Sequence, residues 1–185
     1  MTMVQVTELL EECSAGKANA ETELYRAVLA EMRLMAQQRL RKEPTDVLLQ
    51  PTALIDDVWM KLAPSTQRYA NRRHFFRAAS QAMREILIDN ARRRNSQRRS
   101  AGQKNLELFD MAEDRDDELI RLHEAIQELW KKKSPAAAEV VDMRRFGYRS
   151  HGQIAEYLGT TVSAVRDRWE YGQSWLRAFM LDSSD

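Results

Sequence analysis

Arginines at helical spacing are the most chemically pointed feature of this chain. Projected at about 100° per residue, Arg73, Arg77 and Arg84 share one face of a helix, and Arg92, Arg93, Arg94, Arg98 and Arg99 follow. Only Glu85 and Asp89 oppose them. Such a stripe can neutralise phosphates and release their counterions, so it predicts contact with nucleic acid. Just upstream, PSTQRYANRR offers Gln67, Tyr69, Asn71 and, beyond it, His74. Aromatic and amide groups of this kind hold unstacked single-stranded bases. A second set lies in HGQIAEYLGTTVSAVRDRWE, where Thr161, Ser163, Arg166 and Asp167 face outward from the first turns of a helix. Arg166 can read guanine edges or phosphate, and the hydroxyls can reach either. The candidate DNA-binding residues are therefore Asn71, Arg73, Arg77, Arg84, Thr161, Ser163, Arg166 and Asp167.

Catalytic chemistry is not expected. The sequence shows no nucleophile–base pair, no Gly-rich phosphate loop and no carboxylate cluster near the basic helix. His74, His123 and His151 lack ligand spacing, and the single cysteine, Cys13, can form neither a disulfide nor a thiolate cluster by itself. No metal or cofactor is predicted, and Cys13 reads as a small apolar contact on a helix.

The elements that must position these groups are almost all helical. Apolar spacing predicts helices at Val6–Cys13, Glu21–Arg41, Thr52–Leu62, Arg73–Arg94, Leu119–Lys132, Pro135–Phe146, Gly152–Leu158 and Thr161–Met180. Pro44 should end the second, and Thr52 and Thr161 are placed as caps. On the basic helix, Phe75, Phe76, Ala79, Met83, Ile86, Leu87 and Asn90 form the inward arc. Near the C-terminus, Ala155 permits close helix approach and Gly159 supplies the positive φ of a tight turn. Ile154, Leu158, Val162 and Val165 should then lock the pair into a helix-turn-helix, with Arg168 in a position usually apolar and Trp169 packing in its place. The fold class is all-α: a domain at 1–94, a charged linker at 95–118 punctuated by Gly102, and a helix-turn-helix domain at 119–185.

A net charge of +1 over 185 residues conceals strong segregation. Residues 72–104 hold ten basic and two acidic side chains, whereas 105–130 hold two basic and nine acidic. Opposite blocks side by side suggest separate partners for separate segments. No apolar run reaches the ~18 residues that span a bilayer, and the N-terminus lacks a secretion signal, so a cytoplasmic protein without a membrane partner is expected.

The ordered motifs resemble the extracytoplasmic-function sigma factors of bacterial RNA polymerase. Val6–Leu10 (VTELL), Gln50–Leu62 (QPTALIDDVWMKL), Asn71–Arg94 and the C-terminal IAEYLG with TVSAVRDRW carry the likeness across essentially the whole chain. The resemblance implies that Thr52–Leu62, through Asp56, Asp57 and Trp59, docks on the clamp of core RNA polymerase. It implies that Pro64–Arg94 captures and opens the −10 promoter element, and that the helix-turn-helix reads the −35 element. It further implies an acidic linker in the RNA channel, where it would imitate nucleic acid, and an anti-sigma or other regulatory protein as a further partner. His151 and Gln153 depart from the acidic residues often found there. The alternative from residues alone is a stand-alone helix-turn-helix regulator acting as a dimer. It leaves the clamp-like helix and the acidic segment unexplained, and a footprint by the protein alone would distinguish it. A scaffold binding only proteins would leave both basic surfaces idle.

Overall fold

The computed structural model of the protein describes residues 3–40, 50–100, 106–147 and 149–182. Eight α-helices and no strand occur among the described residues: α1 Met3–Ser14, α2 Ala20–Leu40, α3 Pro51–Leu62, α4 Arg72–Ser100, α5 Leu106–Glu128, α6 Pro135–Arg145, α7 His151–Leu158 and α8 Val162–Asp182. The all-α expectation holds. Helix starts and stops follow local chemistry. Gln50, not Thr52, precedes the first turn of α3, because Pro51 takes the first helical position, where its missing N–H costs nothing. A 3₁₀ turn at Ala63–Arg68 separates α3 from α4, and a π turn at Leu129–Lys133 closes α5. Pro44 and Gly102 lie outside the described residues, as does the side chain of Arg98.

The chain divides into two compact units. One holds Met1–Met83 with Arg145–Arg149, and the other holds Arg84–Arg144 with Ser150–Asp185. The boundary therefore falls inside α4. The expected linker is also largely helical, since α4 continues to Ser100 and α5 starts at Leu106. Arg94 and Asn95 explain part of this, because both find acidic partners on α5. Arg94 Nε donates to Asp116 at 3.0 Å and Asn95 to Asp117 at 2.7 Å. A charged sequence has no apolar periodicity to betray a helix whose stability comes from such pairs.

In the first unit, Val6 and Leu10 of α1, Leu24, Val28, Met32 and Met35 of α2, Leu54, Ile55 and Val58 of α3 and Phe75 and Phe76 of α4 form the core. Cys13 is buried there, the small apolar contact expected, and burial, with Glu21 and Glu12 nearby, pushes its thiol pKa up. Arg149 completes this unit. It pairs with Glu31, which also takes Arg72 at 2.7 Å, and both guanidiniums lie 5.0 Å from the Phe76 ring. One carboxylate between two cations lets two arginines enter a mostly apolar setting.

The second unit packs α5, α6, α7, α8 and the latter part of α4. Ala125, Ile126, Leu129, Ala138, Val140, Val141, Ile154 and Val165 are fully buried. Gly172 lies in the middle of α8, and a Cβ there would meet Val141 Cγ2 at 2.7 Å, so that helix approach excludes any larger residue without a shift.

Candidate nucleic-acid interface

The helix-turn-helix is built from strong local signals. Ser150 and Gln153 form a reciprocal capping box at the start of α7, with Gln153 N–H donating to Ser150 Oγ at 3.2 Å and Ser150 N–H to Gln153 Oε1 at 2.9 Å. Gln153 thus has a defined structural task where an acidic residue was expected. Gly159 ends α7 at φ 58°, and Thr160 N–H donates to Ala155 O at 3.0 Å, which tightens the turn. Thr161 then caps α8, its Oγ1 accepting from Ala164 N–H at 3.1 Å. Thr161, Ser163, Arg166 and Asp167 are all exposed on the first turns of α8. Ile154, Leu158 and Val165 are buried as expected, but Val162 is 40% exposed. As the first residue of α8 it points past the end of the packed face. Trp169 lies 6.1 Å from the His151 ring, and Arg144 stands 6.0 Å over Trp169. Burial and then Arg144 and Arg166 hold the His151 pKa below its ordinary value.

The first part of α4 presents its candidates to solvent. Asn71 is exposed and caps the helix, its Oδ1 accepting from His74 N–H at 2.9 Å. Arg73 is exposed and Arg77 half-exposed. Gln67, before α4, and His74, in its first turn, are exposed, while Tyr69 stacks edge-on against His74 and Phe75 at 5.4 and 5.6 Å. That partial burial raises the Tyr69 pKa and keeps its hydroxyl protonated.

Arg84 departs from the exposed stripe. It projects to the same helix face as Arg73 and Arg77, yet its relative exposure is 0%. Its Nη2 donates to Asp142 Oδ2 at 3.2 Å, and its Nε lies 2.7 Å from Oδ1 as an ion pair without hydrogen-bond geometry. Its Nη1 donates to His123 Nδ1 at 2.7 Å, which requires the imidazole proton on Nε2. Burial, then Arg84, lowers the His123 pKa to about 4. Trp130 Nε1 donates to the same carboxylate at 3.3 Å. Burial pushes the Asp142 pKa up, and Arg84 and Trp130 pull it back. The physical reason is cover: Ala82, Met83, Ile86, Leu87, Ile88 and Ala91 are all buried, and only the face of Gln81, Glu85 and Asp89 is left to solvent along this part of α4. Periodicity gives a residue's face and says nothing about what lies over that face.

Sequence reasoning missed Asp142, His123 and Trp130 as a group. A signal existed in the lone carboxylate within the apolar run VVDM and the lone guanidinium within AMREILI, since each buried charge demands a partner.

On α3, Asp56 and Asp57 are exposed and Met60 is 73% exposed. Trp59 is half-buried in a ladder with Tyr25 at 4.9 Å and Phe75 at 6.4 Å. Tyr25 also donates to Asp56 at 3.2 Å, and burial together with that bond raises its pKa. Met60 did not stand out in the sequence. Among the described residues no group of His, Cys, Asp and Glu could hold a metal, and no helix is long and apolar enough to cross a membrane.

Compared with known proteins, residues 3–182 match the family model described as ECF sigma factor. No curated protein and no solved structure matches significantly.

Proposed function

Because the chain belongs to the ECF sigma factor family, it is a sigma factor acting in transcription initiation, and we propose that it divides this task among three of its surfaces. Factors of this family bind core RNA polymerase, promoter DNA and anti-sigma proteins. The helix α3 docks on the polymerase clamp through Asp56 and Asp57, with Met60 as an apolar anchor and Trp59 as partly buried support. Asn71, Arg73 and Arg77 contact the −10 element, the arginines through phosphates and Asn71 after strand opening. Thr161, Ser163, Arg166 and Asp167 address the −35 element from the first turns of α8. The observation that carries this reading is the capped, glycine-turned helix pair, which leaves those four α8 side chains exposed together.

Each surface is small and offers few base-reading groups, so useful affinity depends on linked weak contacts within a polymerase complex. The test is transcription of genomic fragments by purified core polymerase, with and without the protein. New start sites that share an upstream sequence are expected. Their absence from a preparation that binds core polymerase would refute the promoter-reading role.

A further inference from the structure

The basic block of α4 and the acidic block that follows it in sequence were expected to serve separate partners, yet in the second unit they serve each other. Arg94 is paired with Asp116, whose side chain is only 7% exposed, and Asn95 with Asp117. Ten residues earlier, Arg84 is paired with Asp142, both side chains being almost fully buried. Thus two arginines in the nucleic-acid-binding stretch each already hold a carboxylate. Asp116 accepts from two guanidinium nitrogens of Arg94, which is how a phosphate would use the same arginine, and Asp142 accepts from Arg84 Nη2 while its other oxygen lies 2.7 Å from Nε as an ion pair. Meanwhile Arg92, Arg93 and Arg99 on the same helix remain exposed.

We propose that Asp116 and Asp142 are internal stand-ins for phosphate that occupy Arg94 and Arg84 in the free chain, so that DNA gains these two arginines only when the second unit opens. This rests on the reading of α4 as a promoter-binding helix. The device makes the free protein a weak DNA binder and reserves part of its basic surface for the assembled complex. The two sites differ in depth. The Arg94 side chain is 26% exposed, so a small opening frees it, whereas Arg84 is fully buried and is released only when α6 separates from α4. Arg84 also donates to neutral His123, and Trp130 donates to Asp142, so the deeper pair is held at both ends.

The experiment measures binding of the full-length free chain to a fluorescein-labelled DNA duplex of arbitrary sequence, as a function of salt. Asp116→Asn and Asp142→Asn are compared with Asp182→Asn, an exposed carboxylate that controls for the loss of one negative charge. Each of the first two should bind more tightly than the control, with a salt dependence steeper by about one unit, one further phosphate being neutralised. Adding Arg94→Gln to Asp116→Asn, or Arg84→Gln to Asp142→Asn, should cancel that gain. Folded variants that bind like Asp182→Asn would overturn the proposal, and so would a gain that survives loss of the partner arginine. If Asp142→Asn does not fold, by circular dichroism and a cooperative urea transition, the shallower Asp116 arm decides by the same criteria. No polymerase enters this assay. A chain that supports initiation but shows no released arginine loses only the stand-in mechanism, and one that fails to direct initiation loses the promoter-reading role whatever its free DNA binding.

Discussion

The two parts of α4 carry the same residue type on the same projected face and treat it in opposite ways. At the start, Arg73 is exposed and Arg77 half-exposed, because the inward arc of Phe75, Phe76 and Ala79 is the only side with apolar cover. Further along, Ala82, Ile86, Leu87, Ile88 and Ala91 are all buried, and Arg84 has nowhere to reach water. The first part buries one arc, whereas the second is buried on all but the face that carries Gln81, Glu85 and Asp89. Charge in the first is a surface for partners. In the second it must be neutralised within the fold, since an unpaired buried cation is far costlier than a solvated one.

Breaking the buried pair is expected to have the largest effect. Either Arg84→Ala or Asp142→Ala alone should cost about 3–5 kcal/mol, because each leaves a charge without its partner, whereas Arg84→Met with Asp142→Leu should be near neutral or stabilising. Urea denaturation of the three variants measures this. If the single and double changes cost the same, the charges are not what makes the site sensitive.

Acid should act on the same site, with a smaller effect because the His123 ring is half-exposed and water screens it. His123 titrates near 4 in the folded chain against about 6.5 when unfolded, so between those values the unfolded chain binds the extra proton. Stability should therefore be full above about pH 6.5 and fall as pH drops toward 4. A His123→Gln variant should lose part of that dependence in urea midpoints taken at several pH values, while His74→Gln, on the exposed part of α4, should keep it all.

Thr161→Ala removes the cap of α8 and should cost about 1 kcal/mol, well below the buried pair, because a cap is one hydrogen bond at the solvent edge. Thr161→Ser should restore most of it, and thermal melts would register both changes. Smallest in stability is Arg73→Ala, expected within about 0.5 kcal/mol of the parent. In the polymerase complex that substitution should nonetheless lower the salt dependence of DNA binding by about one unit across many sequences. A large stability loss at Arg73 would erase the contrast between the two parts of the helix.

The all-α class, the eight helices and the helix-turn-helix were legible because each rests on local physics. Helical apolar spacing, Gly159 at positive φ, Thr161 as a cap and Ala155 at a close approach act within a few residues of one another. The exposed candidates Asn71, Arg73, Ser163, Arg166 and Asp167 were equally legible, since a polar residue opposite an apolar arc faces water unless something covers it. What covers it is a long-range fact. Whether Arg84 is a phosphate ligand or a buried ion depends on Asp142, 58 positions away, and on His123, 39 away. The same limit explains the segment taken for a linker: its helices are joined by Arg94–Asp116 and Asn95–Asp117, pairs of 22-residue separation that no local periodicity records. Sequence alone thus determined the apolar-patterned helices and the face on which each of their charges lies. Only tertiary structure decided which charges meet solvent and which meet each other, because burial belongs to the neighbours a residue acquires on folding.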